Sequence, residues 1–345
     1  MQNREKLLSL VKNKKVFLAT HWDADGVTSG ALIYHLIKPF AAEIETLSKG
    51  ETFLINNEDV KGKPDIIICT DIKPGNIDHK KTVYIDHHPW FSDEEKGEEF
   101  LYTIFDDTIQ SCSLLIWKEL LFDTKNPYQL FLVLVGYFGD GGDRENIPTE
   151  LQALANKYLK QKTSIGEHNL MEKKKSRYKE GYYYEIEKYV SALNTGKRMH
   201  WSGDIPLELL KNISCYKPYI YNMHPLAQQL NDYRAQLRNH YDMQVKILDK
   251  GKIQYAIIES DKNIQGVICQ RYLKNKPLLV MNKRKGNIIA SMRVPEELDF
   301  NAGNFLSNFN GKIPSLVGGG HEKAAGVTLK EEHLEQFLDF LDKEQ

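Results

Sequence analysis

The sequence lacks any long apolar run, any clustered cysteines and any sizeable net charge, and each absence removes a class of protein. No stretch approaches the ~18 apolar residues of a membrane-spanning helix. The N-terminus, residues 1–15, carries only a short apolar run, Leu7 to Val11, between charges, too short for the core of a secretory signal. A soluble, cytoplasmic protein without a membrane partner is therefore expected. Cys69, Cys112, Cys215 and Cys269 form no CxxC pair and fall mostly within apolar runs. That pattern predicts reduced, packed thiols and argues against a disulfide framework or a zinc knuckle. Lys plus Arg number 46 against 47 Asp plus Glu, so the molecule as a whole has no field to draw in a polyanion. A nucleic-acid role would have to rest on local charge or on bound metal. Internal repeats and low-complexity tracts are absent as well.

What is present is an ordinary globular composition, 41% hydrophobic and 27% charged, in a chain of 345 residues. That length exceeds most single cores, so two domains are expected. From Val16 to about Arg144 strand-like and helix-like segments alternate, with helices expected over Val27 to Ile37, Thr108 to Phe122 and Tyr128 to Phe138 and weaker strands over Ile44 to Leu47 and Thr52 to Ile55. Alternation of this kind predicts an α/β domain with a parallel sheet, assigned here to residues 1–147. Residues 148–241 read as a polar, helical extension and linker with no convincing strand. Within it, the run from Met171 to Lys179, with Tyr178, Tyr182, Tyr183, Tyr184 and Tyr189, is the most basic part of the chain. It reads either as a track for a single strand, phosphates on Lys and bases on Tyr, or as a solvated helix face with a Tyr-rich packing edge, and the second is preferred. Strand signals return over Val245 to Leu248, Ile253 to Ile258, Pro277 to Met281 and Ile288 to Val294, predicting a smaller C-terminal α/β domain at 242–345.

Three strand-like runs end in acids or imidazoles. Val16 to Thr20 leads into His21-Trp22-Asp23-Ala24-Asp25-Gly26, Asp65 to Thr70 into Asp71, and Thr82 to Ile85 into Asp86-His87-His88-Pro89. In parallel sheets, ligands collect outside the carboxyl ends of the strands, so these groups are expected to meet at one edge. Oxygen and imidazole donors without thiolate favour Mn²⁺ or Mg²⁺, with Zn²⁺ or Co²⁺ also compatible. A further acid comes from Gly136-Tyr137-Phe138-Gly139-Asp140-Gly141-Gly142-Asp143, where either Asp140 or Asp143 is placed to serve. Asp25, just before the Val27 segment, also reads as an ordinary helix cap. Downstream, Gly318-Gly319-Gly320-His321, followed by Ala324-Ala325-Gly326, reads as a backbone anion nest whose small neighbours permit close helix packing.

These residues together resemble the DHH phosphoesterase family with its C-terminal DHHA1 domain. Asp86-His87-His88 is the triplet that names the family. His21-x-Asp23-x-Asp25-Gly26 is similar to its first motif, Asp71 to its second, Gly136 to Asp140 to its fourth, and Gly318 to Gly326 to the DHHA1 signature. The resemblance implies that His21, Asp23, Asp25, Asp71, His87 and Asp140 hold two Mn²⁺ ions, with Mg²⁺ or Co²⁺ possible. Asp71, as a bridging carboxylate, and Asp86, His87 and His88 would then be catalytic, and His88, His321, Gly318, Gly319, Gly320 and Arg293 would contact substrate phosphate. The His21 spacing and the stretch Leu193-Asn194-Thr195-Gly196-Lys197-Arg198 resemble the RecJ branch, in which Asn194 and Arg198 are candidate strand contacts. The match is partial, with Lys197 standing where that branch carries glycine. Nothing beyond residue 345 supplies the OB-fold of bacterial RecJ, so the likeness is to compact, archaeal-type RecJ-like proteins. The implied activity is a single-strand exonuclease on DNA or RNA that releases mononucleotides. The alternatives are a nanoRNase-like phosphodiesterase of short oligonucleotides or cyclic-dinucleotide products, and a replication-complex scaffold; replication or repair proteins would be partners.

Overall fold

The structure, a computed structural model, describes residues 2–51, 53–89, 99–163, 166–175 and 181–343. The chain divides into two compact units. One takes Met1–His87, Glu98–Lys197 and Ser202–Arg234, the other His88–Gly97, Arg198–Trp201 and Ala235–Gln345. Both are mixed α/β, as the sequence pattern predicts.

The first unit runs α1 (Gln2–Val11), β1 (Lys15–His21), α2 (Ala24–Ile37), β2 (Glu43–Lys49), β3 (Leu54–Ile55), β4 (Ile66–Thr70), β5 (Lys73–Pro74), β6 (Thr82–Asp86), β7 (Tyr102–Phe105), α3 (Cys112–Leu120) and α4 (Pro127–Gly139). Five strands form a sheet of order β2-β1-β4-β6-β7, parallel throughout. The central strands β4 and β6 are buried along their whole length. Their β-branched runs are what a strand covered on both faces requires. The apolar helices α2, α3 and α4 contribute to the same core, with Val27, Ile116 and Phe131 among its buried members.

The chain continues through α5 (Thr149–Tyr158), β8 (Lys160–Thr163), β9 (Gly166–Asn169), β10 (Lys173–Lys175), β11 (Tyr182–Tyr184), α6 (Glu187–His200), α7 (Asp204–Asn212), α8 (Lys217–Ile220) and α9 (Pro225–Leu237). Two small hairpins, β8–β9 and β10–β11, interrupt the stretch that the sequence reads as strand-free. The basic segment is accordingly corrected from a helix face to a strand: Lys173 packs over the Tyr182 ring at 4.0 Å and Lys174 pairs with Glu172 at 2.6 Å. Ser176 to Lys179 lie outside the described residues.

The second unit contains β12 (Leu248–Lys250), β13 (Ile253–Glu259), α10 (Gln265–Tyr272), β14 (Leu278–Arg284), β15 (Asn287–Arg293), α11 (Ala302–Ser307), β16 (Val317–Gly320), β17 (Ala324–Lys330) and α12 (Leu334–Lys343). Its sheet has the order β12-β13-β14-β15-β17-β16, with β13 and β14 parallel and the other pairs antiparallel. A separate core gathers Leu279, Met281, Val327 and Phe337. The three glycines of the signature, Gly318 to Gly320, lie in a strand, β16. The close helix approach it permits comes from α11: a Cβ on Gly303 would meet the Gly320 carbonyl at 2.1 Å.

Candidate metal centre

Register brings the strand ends together. Thr20 pairs with Thr70 and Thr70 with Ile85, so the next residues, His21, Asp71 and Asp86, leave the sheet side by side. His87 follows. Asp71 turns with φ +58, a left-handed conformation that Asp tolerates better than most residues.

His21 Nδ1 lies 3.0 Å from Asp23 Oδ2 and 3.6 Å from Asp71 Oδ2. His87 Nε2 lies 3.4 Å from Asp71 Oδ1, 3.3 Å from Asp140 Oδ2 and 3.8 Å from Asp25 Oδ2. Two donor sets result, His21-Asp23-Asp71 and Asp25-His87-Asp140, each with its donor atoms within 4.8 Å of one another. Asp71 faces both imidazoles. Asp143 is absent from this arrangement: its carboxylate accepts from the Glu145 N–H and from Asn146 in its own turn. Asp140, the C-cap of α4, is the acid brought to the site.

The caps are distributed differently from expectation. α2 begins at Ala24, and Asp23, not Asp25, is its N-cap, accepting from the Gly26 N–H at 3.0 Å. Asp25 reaches across to the N-terminus of α3, where it accepts from Cys112 N–H at 2.6 Å and Ser113 N–H at 3.0 Å. Charge-assisted bonds of this kind hold the buried carboxylate in place. Gly136 and Gly139 of α4 make room for it. A Cβ at 136 would lie 2.6 Å from Asp25 Oδ1, and one at 139 would lie 2.8 Å from the Ala24 Cβ. Asn194 on α6 accepts from the Ala24 N–H at 3.1 Å, so its amide braces the first motif. Lys197, one turn on, places Nζ 3.6 Å from Asp23 Oδ2.

His87 is aimed by its surroundings. Its Nδ1 lies 3.0 Å from the Ile109 carbonyl, which can only accept, so Nδ1 carries the proton and Nε2 faces the carboxylates. Asp86 accepts from the His87 N–H and from the Tyr84 hydroxyl, each at 2.7 Å. The first acid of the triplet thus fixes the turn that presents the imidazole. Sequence reading gave no hint of Tyr84 or of the Ile109 carbonyl. Ser111, the N-cap of α3, does leave a readable signal in front of an apolar run.

The electrostatics are those of crowded carboxylates around two imidazoles. Burial alone would lower His21, but Asp23 and Asp71 outweigh it and hold the imidazole up at about 9. Burial likewise opposes the charge on His87, and Asp71, Asp140 and Asp25 raise it well above the ordinary value. Asp23, despite burial, is held well below the carboxylate range by His21 and Lys197. Asp25 is pushed well above it, by burial first and then by Asp71. Like charges packed this closely, without a thiolate, make a donor set suited to hard divalent cations. His21 Nδ1, which faces Asp23 and Asp71, offers a nitrogen donor to this set.

In the second unit, Arg293 ends β15 and is level with Ala324, while Gly320 is level with Ala325, so the arginine and the glycine strand share one end of the sheet. His88 belongs to this unit, where its ring centroid is 5.0 Å from that of His321. The expected nest is partly committed already: Gly318 N–H donates to Asn310 at 2.7 Å and His321 N–H to the Ala324 carbonyl at 2.9 Å. Arg198 gives its carbonyl to the Asn263 N–H.

The DHHA1 domain family matches residues 250–345. No curated protein matches the sequence. Among solved structures, RecJ from Thermus thermophilus in complex with Mn²⁺ superposes with a TM-score of 0.64 at 16% identity, covering 99% of this chain and 54% of that one. This chain therefore spans about half the length of that RecJ. An exonuclease RecJ bound to manganese gives 0.58 at 15% identity, covering 99% and 94%. CDC45 from Entamoeba histolytica gives 0.53 at 10% identity, covering 99% and 98%. Among the described residues, no helix is long and apolar enough to cross a membrane. Residues 250–345 thus carry a DHHA1 domain, and over its length the chain has the fold of the RecJ structures.

Proposed function

We propose that the protein is a divalent-metal-dependent phosphodiesterase that removes nucleotides from an end of single-stranded DNA or RNA and releases mononucleotides. The observation that carries this reading is Asp71, whose two oxygens face two separate imidazoles, His21 at 3.6 Å and His87 at 3.4 Å. The RecJ fold supports the nucleic-acid substrate.

His21, Asp23, Asp25, Asp71, His87 and Asp140 would hold two ions, Mn²⁺ or else Mg²⁺ or Co²⁺. A bound pair supplies an activated water and neutralises charge on the phosphoryl oxygens. The chain's own groups do the rest. Asp23 stays ionised at neutral pH because His21 and Lys197 stabilise its charge. Asp86 and the Ile109 carbonyl keep His87 Nε2 aimed at the carboxylates. His88, His321, Arg293 and the backbone of Gly319 and Gly320 bind substrate phosphate, with Gly318 shaping the strand that carries them. Arg198 contacts the strand, and Asn194 acts by bracing Ala24.

The test is Mn²⁺-dependent hydrolysis of end-labelled single strands from dinucleotide to about 20 nucleotides, with His87→Ala as control. Stepwise shortening of long strands, lost in the variant, is the expected result. Cleavage confined to the shortest species would replace this reading with a short-oligonucleotide phosphodiesterase, and absence of metal-dependent hydrolysis by the natural chain would overturn it.

A further inference from the structure

The second unit has a cavity of about 530 Å³ whose wall carries Trp201, Lys262, Lys283, Arg284 and Lys285, together with the acids Glu259 and Asp261. Two features make it unlike an ordinary basic surface. The Arg284 guanidinium lies over the Trp201 ring at 4.2 Å, and the indole N–H donates to the Asp261 carbonyl at 2.7 Å, so the arginine rests on a fixed, buried platform. Two wall residues also hold backbone conformations their side chains disfavour: Trp201 at φ +57 and Lys285 at φ +50. Lys285 and Gly286, φ +74, are the two residues linking β14 to β15, where left-handed pairs are normally Asn-Gly. A lysine kept at such a place retains its charge against conformational preference, and strain of that kind concentrates at functional sites. The acids are partly engaged, Asp261 with Lys262 at 3.0 Å. Lys285 makes no ion pair among the described residues.

We propose that this pocket is a second anion site, in which Arg284 and Lys285 hold a backbone phosphate of a single-stranded nucleic acid. That the strand is also a substrate rests on the function proposed above. A guanidinium stacked on an indole presents its donor fork in a fixed plane, which suits phosphate better than a mobile lysine does. The site lies at the opposite end of the β14–β15 hairpin from Arg293: Leu278 pairs with Arg293 at one end and Arg284 with Asn287 at the other. Six residue steps along the strand separate the two ends, about 20 Å. A dinucleotide at the Arg293 end cannot span that distance, whereas a longer strand can.

The experiment compares the natural full-length chain with Lys285→Asn and Arg284→Lys. Asparagine suits the left-handed turn, so the first variant removes charge without a folding cost. The second keeps charge but loses the planar fork. Anisotropy of a labelled oligodeoxythymidylate of about 20 residues, titrated with chelator present over a range of salt, should show binding weakened about threefold to tenfold. In Lys285→Asn the salt slope should fall by about one. In Mn²⁺, KM for the long strand should rise while dinucleotide hydrolysis is unchanged. Unaltered affinity and slope in both variants would overturn the proposal. So would a pocket that binds inorganic phosphate but leaves strand affinity insensitive to the variants. If the natural chain hydrolyses nothing, the functional reading fails while the binding comparison still decides this one.

Discussion

Lys197 places its ammonium 3.6 Å from the Asp23 carboxylate, on the helix whose Asn194 also braces the first motif. A fixed cation beside a carboxylate proposed to hold a metal would compete with the metal for it. At a partly exposed site such a pair is worth about 1 kcal/mol. Replacing Lys197 with Met should therefore tighten Mn²⁺ binding about threefold to tenfold, measured by calorimetry. Unchanged affinity would mean that the ammonium leaves Asp23 when the ion arrives.

Asp71→Asn tests the shared carboxylate. Asparagine tolerates the left-handed backbone at this position, so the variant removes charge with little conformational cost. Hydrolysis should fall by at least about a hundredfold. In the metal-free protein, both imidazoles should titrate lower than in the natural chain, because Asp71 helps raise each of them. Histidine NMR titration reads this separately from activity.

Most of the site was legible because its residues sit where strands end. β1, β4 and β6 are short, largely buried runs, with His21 the last residue of β1, Asp71 directly after β4 and His87 directly after β6. What sequence could not convey was lateral: that Asp25 caps α3, that the Ile109 carbonyl sets the His87 tautomer, and that Asn194 reaches Ala24. Each joins segments far apart in the chain through a backbone group, and backbone groups leave no residue-type signal. The hairpins at β8–β11 escaped because Lys, Tyr and Glu suit helices and exposed strands alike. The left-handed Trp201 escaped because glycine, not tryptophan, is the usual residue after a helix.

Metal binding should depend on pH through the two histidines. In the metal-free protein His21 is raised from 6.5 to about 9 and so carries its proton at neutral pH, and Asp71, Asp140 and Asp25 raise His87 as well. A coordinating imidazole must give up its proton, so Mn²⁺ affinity rises with pH, by up to tenfold per unit for each proton released. The stability of the metal-free fold moves the opposite way. A raised folded-state value gives stabilisation that is complete below 6.5 and lost as pH rises through about 9. Melting curves across that window should show the metal-free protein weakening while the Mn²⁺-loaded protein gains. Parallel curves would rule out His21 as a ligand that exchanges its proton for metal.

Gly136→Ala separates the site's support from its ligands. Alanine favours a helix over glycine by about 1 kcal/mol, so on propensity alone α4 should gain stability. The added methyl, however, would lie 2.1 Å from Ser113 Oγ, 2.5 Å from Thr28 Oγ1 and 2.6 Å from Asp25 Oδ1. Overpacking of this kind costs about 1 to 3 kcal/mol, and the displaced carboxylate faces His87. The variant should melt lower and bind Mn²⁺ several-fold more weakly, although no proposed ligand is changed. Ser113→Ala removes the nearest obstacle while leaving the Ser113 N–H to Asp25, so the double variant should recover part of both losses. Coupling between the two substitutions in metal affinity, and not in stability alone, would show that the contact acts on Asp25. Additive effects would place the damage elsewhere in α4.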